Sequence, residues 1–238
     1  PILERHGQPM DQVTRPCNVT LLRNSGRTVL FDVGAGPDLA PSAGALLGSL
    51  DAIGVSPEDV TDVVFTHGHP DHLWGVLDDF DDPLFSQARY LIGKQEWDYW
   101  LDPNTVDQIG ESRVTFAVGA KRRLELIEDS ISFFNNGEEI LPGVAARACF
   151  GHTPGHMAFE VRSGAEAVMI LGDSIGDGHV AFEHPEWLSG ADQDPATAAM
   201  SRQSLLDQMA NDHMRLVGFH LSGDGIGRVE RKDGAYRY

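Results

Sequence analysis

The stretch His67-Gly-His-Pro-Asp-His72 places three imidazoles and one carboxylate within six residues. Such density is unfavourable unless the groups share a partner, because protonated imidazoles repel one another and a buried polar group without a hydrogen bond costs about 1–3 kcal/mol. A divalent cation removes the conflict, since it binds neutral imidazole nitrogens and ionised carboxylates together. We expect Gly68 and Pro70 to keep the stretch out of a helix, so that its side chains spread over more than one metal ion. The alternative interpretation is a cluster of surface histidines.

Three further acid or imidazole side chains come directly after predicted strands. His152, Asp173 and His220 each stand within two residues of the end of an apolar run, and each has a glycine close by. Taken singly, each has an ordinary structural explanation, as a capping aspartate, a histidine at the edge of the core or a loop histidine. Polar residues at the carboxyl ends of strands are where α/β folds gather their sites. Together with the first stretch, they predict one site.

The rest of the chain alternates between strand and helix signals. Strands are predicted at 17–23, 28–32, 62–66, 89–92, 131–134, 144–150, 158–162, 167–171, 215–219, 227–232 and 235–238. Helices are predicted at 43–53, 57–59, 94–101, 120–128 and 195–211, the last capped by Asp194. The cycle of strands followed by helices runs twice, which predicts a single mixed α/β domain over residues 1–238.

Composition narrows the classes of partner. The 238 residues carry 36 Asp and Glu against 18 Lys and Arg, a formal net charge of −18. Nucleic acid and anionic membrane surfaces both attract basic proteins, so neither is expected as a partner. No apolar run reaches the roughly 20 residues of a membrane span. Cys17 and Cys149 could pair only with Cβ atoms within about 4.5 Å, which sequence does not decide.

The N-terminus leaves the compartment open. The chain begins at Pro1 without a charged-then-apolar signal, and an export signal that had been removed would be invisible here. The expectation is a soluble protein, either cytoplasmic or periplasmic.

The four motifs, in their order along the chain, resemble the metallo-β-lactamase superfamily. These motifs are Thr66-His-Gly-His-Pro-Asp-His72, Gly151-His-Thr-Pro-Gly-His156, Gly172-Asp173 and Phe219-His220. Within that superfamily, the tail His220-Leu-Ser-Gly-Asp-Gly-Ile-Gly227 and the helix 95–101 are most similar to methyl parathion hydrolase and its lactonase-like relatives. The resemblance implies a four-layer αββα sandwich with a binuclear metal site at one edge. The chain starts late relative to the family, which leaves room for a missing N-terminal strand.

The resemblance also implies a ligand set. His67, His69 and His152 would hold one metal ion, Asp71, His72 and His220 would hold the other, and Asp173 would bridge the two. Zinc is the expected metal, with manganese, iron or cobalt as alternatives. His156 is expected to support the site from behind the ligands or to anchor its loop.

The implied reaction is hydrolysis by a metal-bridging hydroxide, with no covalent intermediate. Asp71 or Asp173 would orient the nucleophile and accept its proton. The expected substrate is a neutral, hydrophobic lactone, ester or organophosphate triester, because a negative field repels anions. The tyrosine that lactonases carry shortly after the bridging aspartate is absent, with Ser174 and Ile175 in its place.

Aromatic residues in the flanking segments are candidates for the walls of a substrate pocket. The candidates are Trp100, Trp97, Phe85 and Trp187, with Trp100 foremost; a core position is the alternative for each, and it is favoured for Phe80 and Phe182.

Other functions stay open at this point. A glyoxalase II-type thioester hydrolase should carry a basic C-terminal patch, whereas the basic residues of this tail stand among acids. A mononuclear iron persulfide dioxygenase uses a similar motif and differs in metal content. An RNA-processing nuclease is disfavoured by the charge. A binding or sensor domain with a degenerate site would have lost ligands, and all seven are present. The oligomeric state is open, and a homodimer is one expectation because family members are often dimers.

Overall fold

The computed structural model describes residues 2–5, 15–24, 26–176 and 178–238. Its strands are β1 (Thr20–Asn24), β2 (Arg27–Phe31), β3 (Asp62–Val64), β4 (Arg89–Gly93), β5 (Ile131–Phe134), β6 (Glu139–Leu141), β7 (Val144–Ala148), β8 (Met157–Ser163), β9 (Glu166–Ile170), β10 (Arg215–Val217), β11 (Ile226–Arg228), β12 (Glu230–Lys232) and β13 (Ala235–Arg237). Its α-helices are α1 (Ile2–Arg5), α2 (Leu46–Ala52), α3 (Pro70–Leu73), α4 (Lys94–Leu101), α5 (Thr105–Gln108), α6 (Val114–Leu126), α7 (Gly178–Glu183) and α8 (Pro195–Asn211).

The chain divides into two units, which are described separately. The N-terminal unit is Val19–Asn135, and the C-terminal unit is Asn136–Tyr238 together with the described residues up to Asn18. Each unit has its own sheet and its own helices, which confirms the mixed α/β class predicted from the sequence.

The N-terminal unit contains a five-stranded sheet in the order β1-β2-β3-β4-β5. Strands β1 and β2 form an antiparallel hairpin, and β2, β3, β4 and β5 are parallel neighbours. All three residues of β3 are buried, as is typical of a central parallel strand covered on both faces. Because parallel strands end at the same edge of a sheet, Asp32 after β2 and Thr66 after β3 lie close together.

The C-terminal unit contains a six-stranded sheet in the order β11-β10-β9-β8-β7-β6. Every described neighbour pair in it is antiparallel except β9 and β10, which are parallel. Asp173 after β9 and His220 after β10 therefore lie at one edge. Strand β7 runs in the same direction as β9, since both are antiparallel to β8, so His152 after β7 lies at that edge too.

Each unit has an apolar core of its own. In the N-terminal unit, the core includes Phe65, Tyr90 and Trp100, all nearly or fully buried. In the C-terminal unit, helix α8 contributes Leu205, Leu206 and Met209, the residues predicted to form its buried stripe. The Asp194 side chain accepts the backbone N–H of Thr197 at 3.1 Å and so caps this helix as predicted.

Several element predictions are confirmed and others are wrong in their bounds. The first hairpin and helix 195–211 are confirmed. The helix predicted at 43–53 is shorter, and the one predicted at 120–128 instead covers Val114–Leu126. The predicted strand 227–232 is two strands, because β11 joins the six-stranded sheet and only β12 pairs with β13.

The structure also decides the conformation at Pro70 and whether the two cysteines pair. Pro70 begins helix α3 instead of preventing a helix, because the first helical position needs no N–H donor and suits the fixed φ of proline. No disulfide joins Cys17, which is exposed, to Cys149, which is buried. Among the described residues, no helix has the length and apolar character required to cross a bilayer.

Candidate metal centre

The first group of candidate ligands lies on the segment after β3 in the N-terminal unit. His67 and His72 are fully buried, and His69 is 6% exposed. The possible ligand atoms of His67 and His69 lie within 4.8 Å of one another, as do those of Asp71 and His72. Helix α3 begins at Pro70, so Asp71 and His72 leave its first turn on adjacent sides.

Asp32 orients two of these histidines. Its Oδ1 accepts the backbone N–H of Thr66, and its Oδ2 accepts the Thr66 hydroxyl, both at 2.8 Å. Its Oδ2 also lies 2.7 Å from Nδ1 of His72. Because the Thr66 hydroxyl donates to Asp32, its oxygen accepts from Nδ1 of His67 at 3.0 Å. Both imidazoles thus carry their proton on Nδ1, which leaves Nε2 as the atom for a metal ion.

Residues of helix α4 contact the same segment and hold its backbone in place. The buried Glu96 carboxylate accepts the backbone N–H of Gly68 at 2.8 Å and the indole N–H of Trp100 at 2.6 Å. A Cβ atom at residue 68 would lie 2.4 Å from the indole nitrogen of Trp100, so only glycine fits there. The Trp100 ring also meets the His69 ring edge-on, with centroids 5.9 Å apart.

The second group of candidate ligands lies in the C-terminal unit around Asp173. Its Oδ2 lies 3.4 Å from Nε2 of His152 and 3.2 Å from Nε2 of His220. Nδ1 of His152 lies 2.9 Å from a carboxylate oxygen of Asp192, and Nδ1 of His220 lies 2.8 Å from the carbonyl oxygen of Pro16. Both of these oxygens can only accept, so each Nδ1 carries the proton.

This arrangement brings two imidazole nitrogens, Nε2 of His152 and Nε2 of His220, to one carboxylate oxygen. A divalent metal ion binds imidazole nitrogen and carboxylate oxygen together. Two ligands of a tetrahedral zinc ion, at about 2.0–2.2 Å from the metal, are themselves about 3.3–3.6 Å apart. The separations of 3.4 and 3.2 Å at Asp173 are close to that range, so the donor set fits a divalent metal ion.

The loop before β8 is held by the N-terminal end of α8. Gly151 has φ of +121°, and a Cβ atom there would lie 2.1 Å from the backbone nitrogen of Ala198. The Asp194 N–H donates to the Gly151 carbonyl at 2.8 Å. The fully buried His156 accepts the backbone N–H of Asp173 on Nε2 at 2.9 Å, so it fixes the peptide that carries this carboxylate.

The structure gives the predicted wall residues different surroundings. Phe85 is fully buried in the core and Trp97 is 9% exposed. The expectation that they line a pocket is wrong, because their side chains have too little accessible surface to contact a substrate. Trp100 is 1% exposed and supports the Gly68 segment instead. Trp187 is 49% exposed, stacks on His184 and stays a candidate.

Of the two aromatic residues expected in the core, one is buried and the other is exposed. Phe182 is buried and stacks on Tyr238, as expected, whereas Phe80 is 84% exposed.

Sequence reasoning missed the residues that hold the ligands in place. Asp32 carried the same signal as the ligands, since it follows a strand and precedes a glycine-bearing loop. Thr66 belongs to the quoted motif without any sign of its role. Glu96, Asp192 and Arg202 lie on helices or in a long loop, where only the tertiary structure shows what they contact.

Comparisons with known proteins agree with the fold. The family model described as the metallo-beta-lactamase superfamily matches residues 13–220. AidC, a dizinc quorum-quenching lactonase solved in complex with a product, N-hexnoyl-L-homoserine, is 27% identical, with a TM-score of 0.93 over 99% of this chain and 83% of that chain. The hydrolase AbOPH, described as in the beta lactamase superfamily, is 26% identical, with a TM-score of 0.92 and the same coverage.

A curated relative matches a shorter stretch. Metallo-beta-lactamase domain-containing protein 1 of Xenopus laevis is 45% identical over 80 residues, which are 34% of this chain and 30% of that protein. The match therefore spans less than a third of the length of that relative.

The chain belongs to the metallo-β-lactamase superfamily, and the fold predicted from its motifs is confirmed. Its histidine and aspartate clusters could hold metal ions, and a lactonase and a hydrolase are among the solved structures to which it is similar.

Proposed function

We propose that this protein is a binuclear metal-dependent hydrolase that cleaves a neutral, hydrophobic lactone, with esters and organophosphate triesters as the related substrate classes. The observation that carries the proposal is the Asp173 carboxylate oxygen, which lies 3.4 Å from Nε2 of His152 and 3.2 Å from Nε2 of His220. The lactonase AidC, similar over 99% of this chain, supports the choice of substrate class.

In the proposed site, seven side chains hold two divalent ions, most simply zinc. As the family resemblance implies, His67, His69 and His152 would hold one ion, Asp71, His72 and His220 would hold the other, and Asp173 would serve both. When bound, the ions supply a water molecule of lowered pKa and a Lewis acid for the substrate oxygen. The dizinc content of AidC and the mixed nitrogen and oxygen donors both support zinc.

The two carboxylates of the proposed site have different roles. Asp71 is the more accessible of the two site carboxylates, with a side chain 23% exposed against 8% for Asp173. Asp71 would therefore be the group that takes up the proton released in hydrolysis, because its exposed carboxylate can exchange that proton with solvent. Asp173 is held by His156 through its backbone, and its part is to keep the ligand separations fixed.

The acidic surface favours a neutral substrate. A formal charge of −18 repels anionic thioesters and nucleic acids during approach, whereas a neutral acyl lactone is unaffected. A half-exposed aromatic such as Trp187 suits an acyl chain or aryl group.

The test compares rates on zinc-loaded protein of measured metal content. An acyl-homoserine lactone and a simple γ-lactone are compared with an aryl phosphotriester and a glutathione thioester. We expect lactone kcat/KM of at least about 10⁴ M⁻¹s⁻¹, the lower range of evolved enzymes, and slow turnover of the others. Fast phosphotriester cleavage with slow lactone cleavage would move the function to the organophosphate class. Background rates on every substrate with two zinc ions bound would refute the proposal.

Asp71→Asn serves as the matched variant, because it keeps the size of the side chain and removes its basicity. We expect kcat to fall about 10²–10⁴-fold, the usual contribution of a positioned general base. A variant with two zinc ions and wild-type kcat would contradict the role given to Asp71.

A further inference from the structure

The buried guanidinium of Arg202, on helix α8, contacts four separate acceptors. It is 5% exposed, and it donates to Asp192 Oδ2 at 3.1 Å, to the Ser174 carbonyl at 3.3 Å, to the Pro185 carbonyl at 2.9 Å and to the Trp187 carbonyl at 3.0 Å. Three of the acceptors are backbone oxygens from two separate segments. A buried arginine held this completely is a fixed element of the unit.

The first contact connects Arg202 to a candidate metal ligand. Asp192 is 7% exposed, and its two carboxylate oxygens face opposite partners, Nδ1 of His152 on one side and Arg202 on the other. Removal of the guanidinium would deprive the buried Asp192 carboxylate of its charged partner and leave its contact with His152. The orientation of His152 therefore depends on a residue that does not contact the site.

The second contact reaches the other side of the same ligand pair. Ser174 directly follows Asp173, and Arg202 holds the Ser174–Ile175 peptide through its carbonyl oxygen, while His156 holds the Gly172–Asp173 peptide through its N–H. One guanidinium thus holds His152 through Asp192 and Asp173 through Ser174. These are the two side chains whose Nε2 and Oδ2 atoms lie 3.4 Å apart.

The remaining contacts extend to an exposed loop. The carbonyl groups of Pro185 and Trp187 lie on the segment after α7, where the ring of His184 stacks on that of Trp187 with centroids 4.0 Å apart. The Trp187 side chain is half exposed, so it is positioned by its backbone and by one stacking contact.

We propose that Arg202 is a positioning residue that couples metal binding at His152 and Asp173 to the conformation of the loop carrying Trp187. The inference rests on the proposed function in one respect, that His152 and Asp173 are metal ligands. The coupling is physical: when an ion fixes His152 and Asp173, it fixes Asp192 and Ser174, and the rigid planar guanidinium transmits that order to the two loop carbonyls. The loop should then be better ordered with metal than without it.

Two substitutions separate the parts of this role. Arg202→Lys keeps a charge to pair with Asp192, but its three donors radiate from a single atom and cannot reach all four acceptors. Arg202→Met keeps much of the length and removes the charge as well. Arg123→Met is the matched control, since Arg123 is 4% exposed and bonds to Asp38 and to the Trp74 and Gly119 carbonyls, away from Asp192.

Two readouts are measured on each full-length variant. Zinc affinity is determined by competition with a chromophoric chelator. Acrylamide quenching of Trp187 fluorescence is obtained with and without zinc, by subtraction of the Trp187→Phe version of the same variant. In the wild type, zinc should lower the quenching constant of Trp187.

We expect Arg202→Met to bind zinc about 10–100-fold more weakly and to lose the zinc-dependent change at Trp187. Arg202→Lys should keep near-wild-type zinc affinity and lose only the change at Trp187, and Arg123→Met should keep both. Wild-type zinc affinity in Arg202→Met, or an intact Trp187 change in Arg202→Lys, would overturn the coupling. An equal loss in Arg123→Met would overturn it as well, because any buried guanidinium would then have the same effect.

The same preparations are assayed for lactone hydrolysis, which separates this inference from the proposed function. A wild type that binds zinc and shows the Trp187 change without hydrolysing any substrate refutes the function alone. Variants that match the wild type in both readouts refute the role of Arg202 alone, whatever the wild-type activity.

Discussion

Asp32→Asn should weaken zinc binding while it preserves the fold around the site. Asparagine has the volume of aspartate and tolerates the positive φ of 63° at this position, whereas alanine would add backbone strain. Its amide oxygen can still accept the Thr66 N–H, as Oδ1 does now at 2.8 Å. Its amide nitrogen, however, would face Nδ1 of His72 and the Thr66 hydroxyl as a donor.

The magnitude follows from the two contacts that Oδ2 makes. A hydrogen bond to a charged group contributes about 1.5–3 kcal/mol, so loss of both lowers the free energy of unfolding by about 3–6 kcal/mol. The bond to His72 bears directly on a proposed ligand. Loss of such an outer partner weakens metal affinity about 10–100-fold, which is about 1.4–2.7 kcal/mol.

The assay is zinc competition with a chelator, run beside urea unfolding of the metal-free protein. Asp62→Asn is the control, because Asp62 is another fully buried aspartate of the same unit, paired with Arg27 and Arg89 instead of an imidazole. It should lose stability and keep zinc affinity. Wild-type zinc affinity in Asp32→Asn, or an equal loss in Asp62→Asn, would refute the reasoning.

Three further outcomes are expected. Gly68→Ala should lower the free energy of unfolding by about 1–3 kcal/mol, because its Cβ would lie 2.4 Å from the Trp100 indole. In thermal denaturation, adding Trp100→Phe should recover part of this loss. No recovery would show that Trp100 is not the cause. Burial raises the pKa of Asp62, but hydrogen bonds from Thr61 and the two arginines outweigh it and hold the pKa below 3.8. The stability advantage of the wild type over Asp62→Asn should therefore be complete above pH 3.8 and shrink as the pH falls below it, and a urea series from pH 7 to 2.5 that gave a constant difference would contradict this. Burial raises the pKa of the Cys149 thiol to about 12, so a thiol reagent at pH 8 should modify Cys17 alone in the native protein and both cysteines in denaturant; fast native reaction of Cys149 would show that its surroundings open.

The sequence predicted the candidate ligands because their signal is local. His67, Asp173 and His220 follow strands, and the parallel pairs in each sheet bring such positions to one edge. The cap at Asp194 was predictable for the same reason, since a cap and the N–H it accepts lie within three residues. The bounds of the helices were less predictable, because the turn at Glu111–Arg113 leads directly into α6 and no side-chain cap marks the beginning of that helix.

The supporting residues could not be predicted, because their partners are far away in sequence. Asp32 meets His72 across 40 residues, and Asp192 meets His152 across the same separation. The prediction that aromatic residues line a substrate pocket was wrong for a related reason. Whether a tryptophan lies in a wall or beneath a loop depends on what packs over it, and Trp100 is covered by the segment around Gly68.

The single Asp32 carboxylate has a consequence for redesign. His67 and His72 receive their orientation from the same oxygen, one through the Thr66 hydroxyl and the other directly. Any change at Asp32 therefore alters both imidazoles together and cannot retune one alone. A change at Thr66 is more selective: valine there would remove the hydroxyl contacts to His67 and Asp32 and leave the contact between Asp32 and His72 in place.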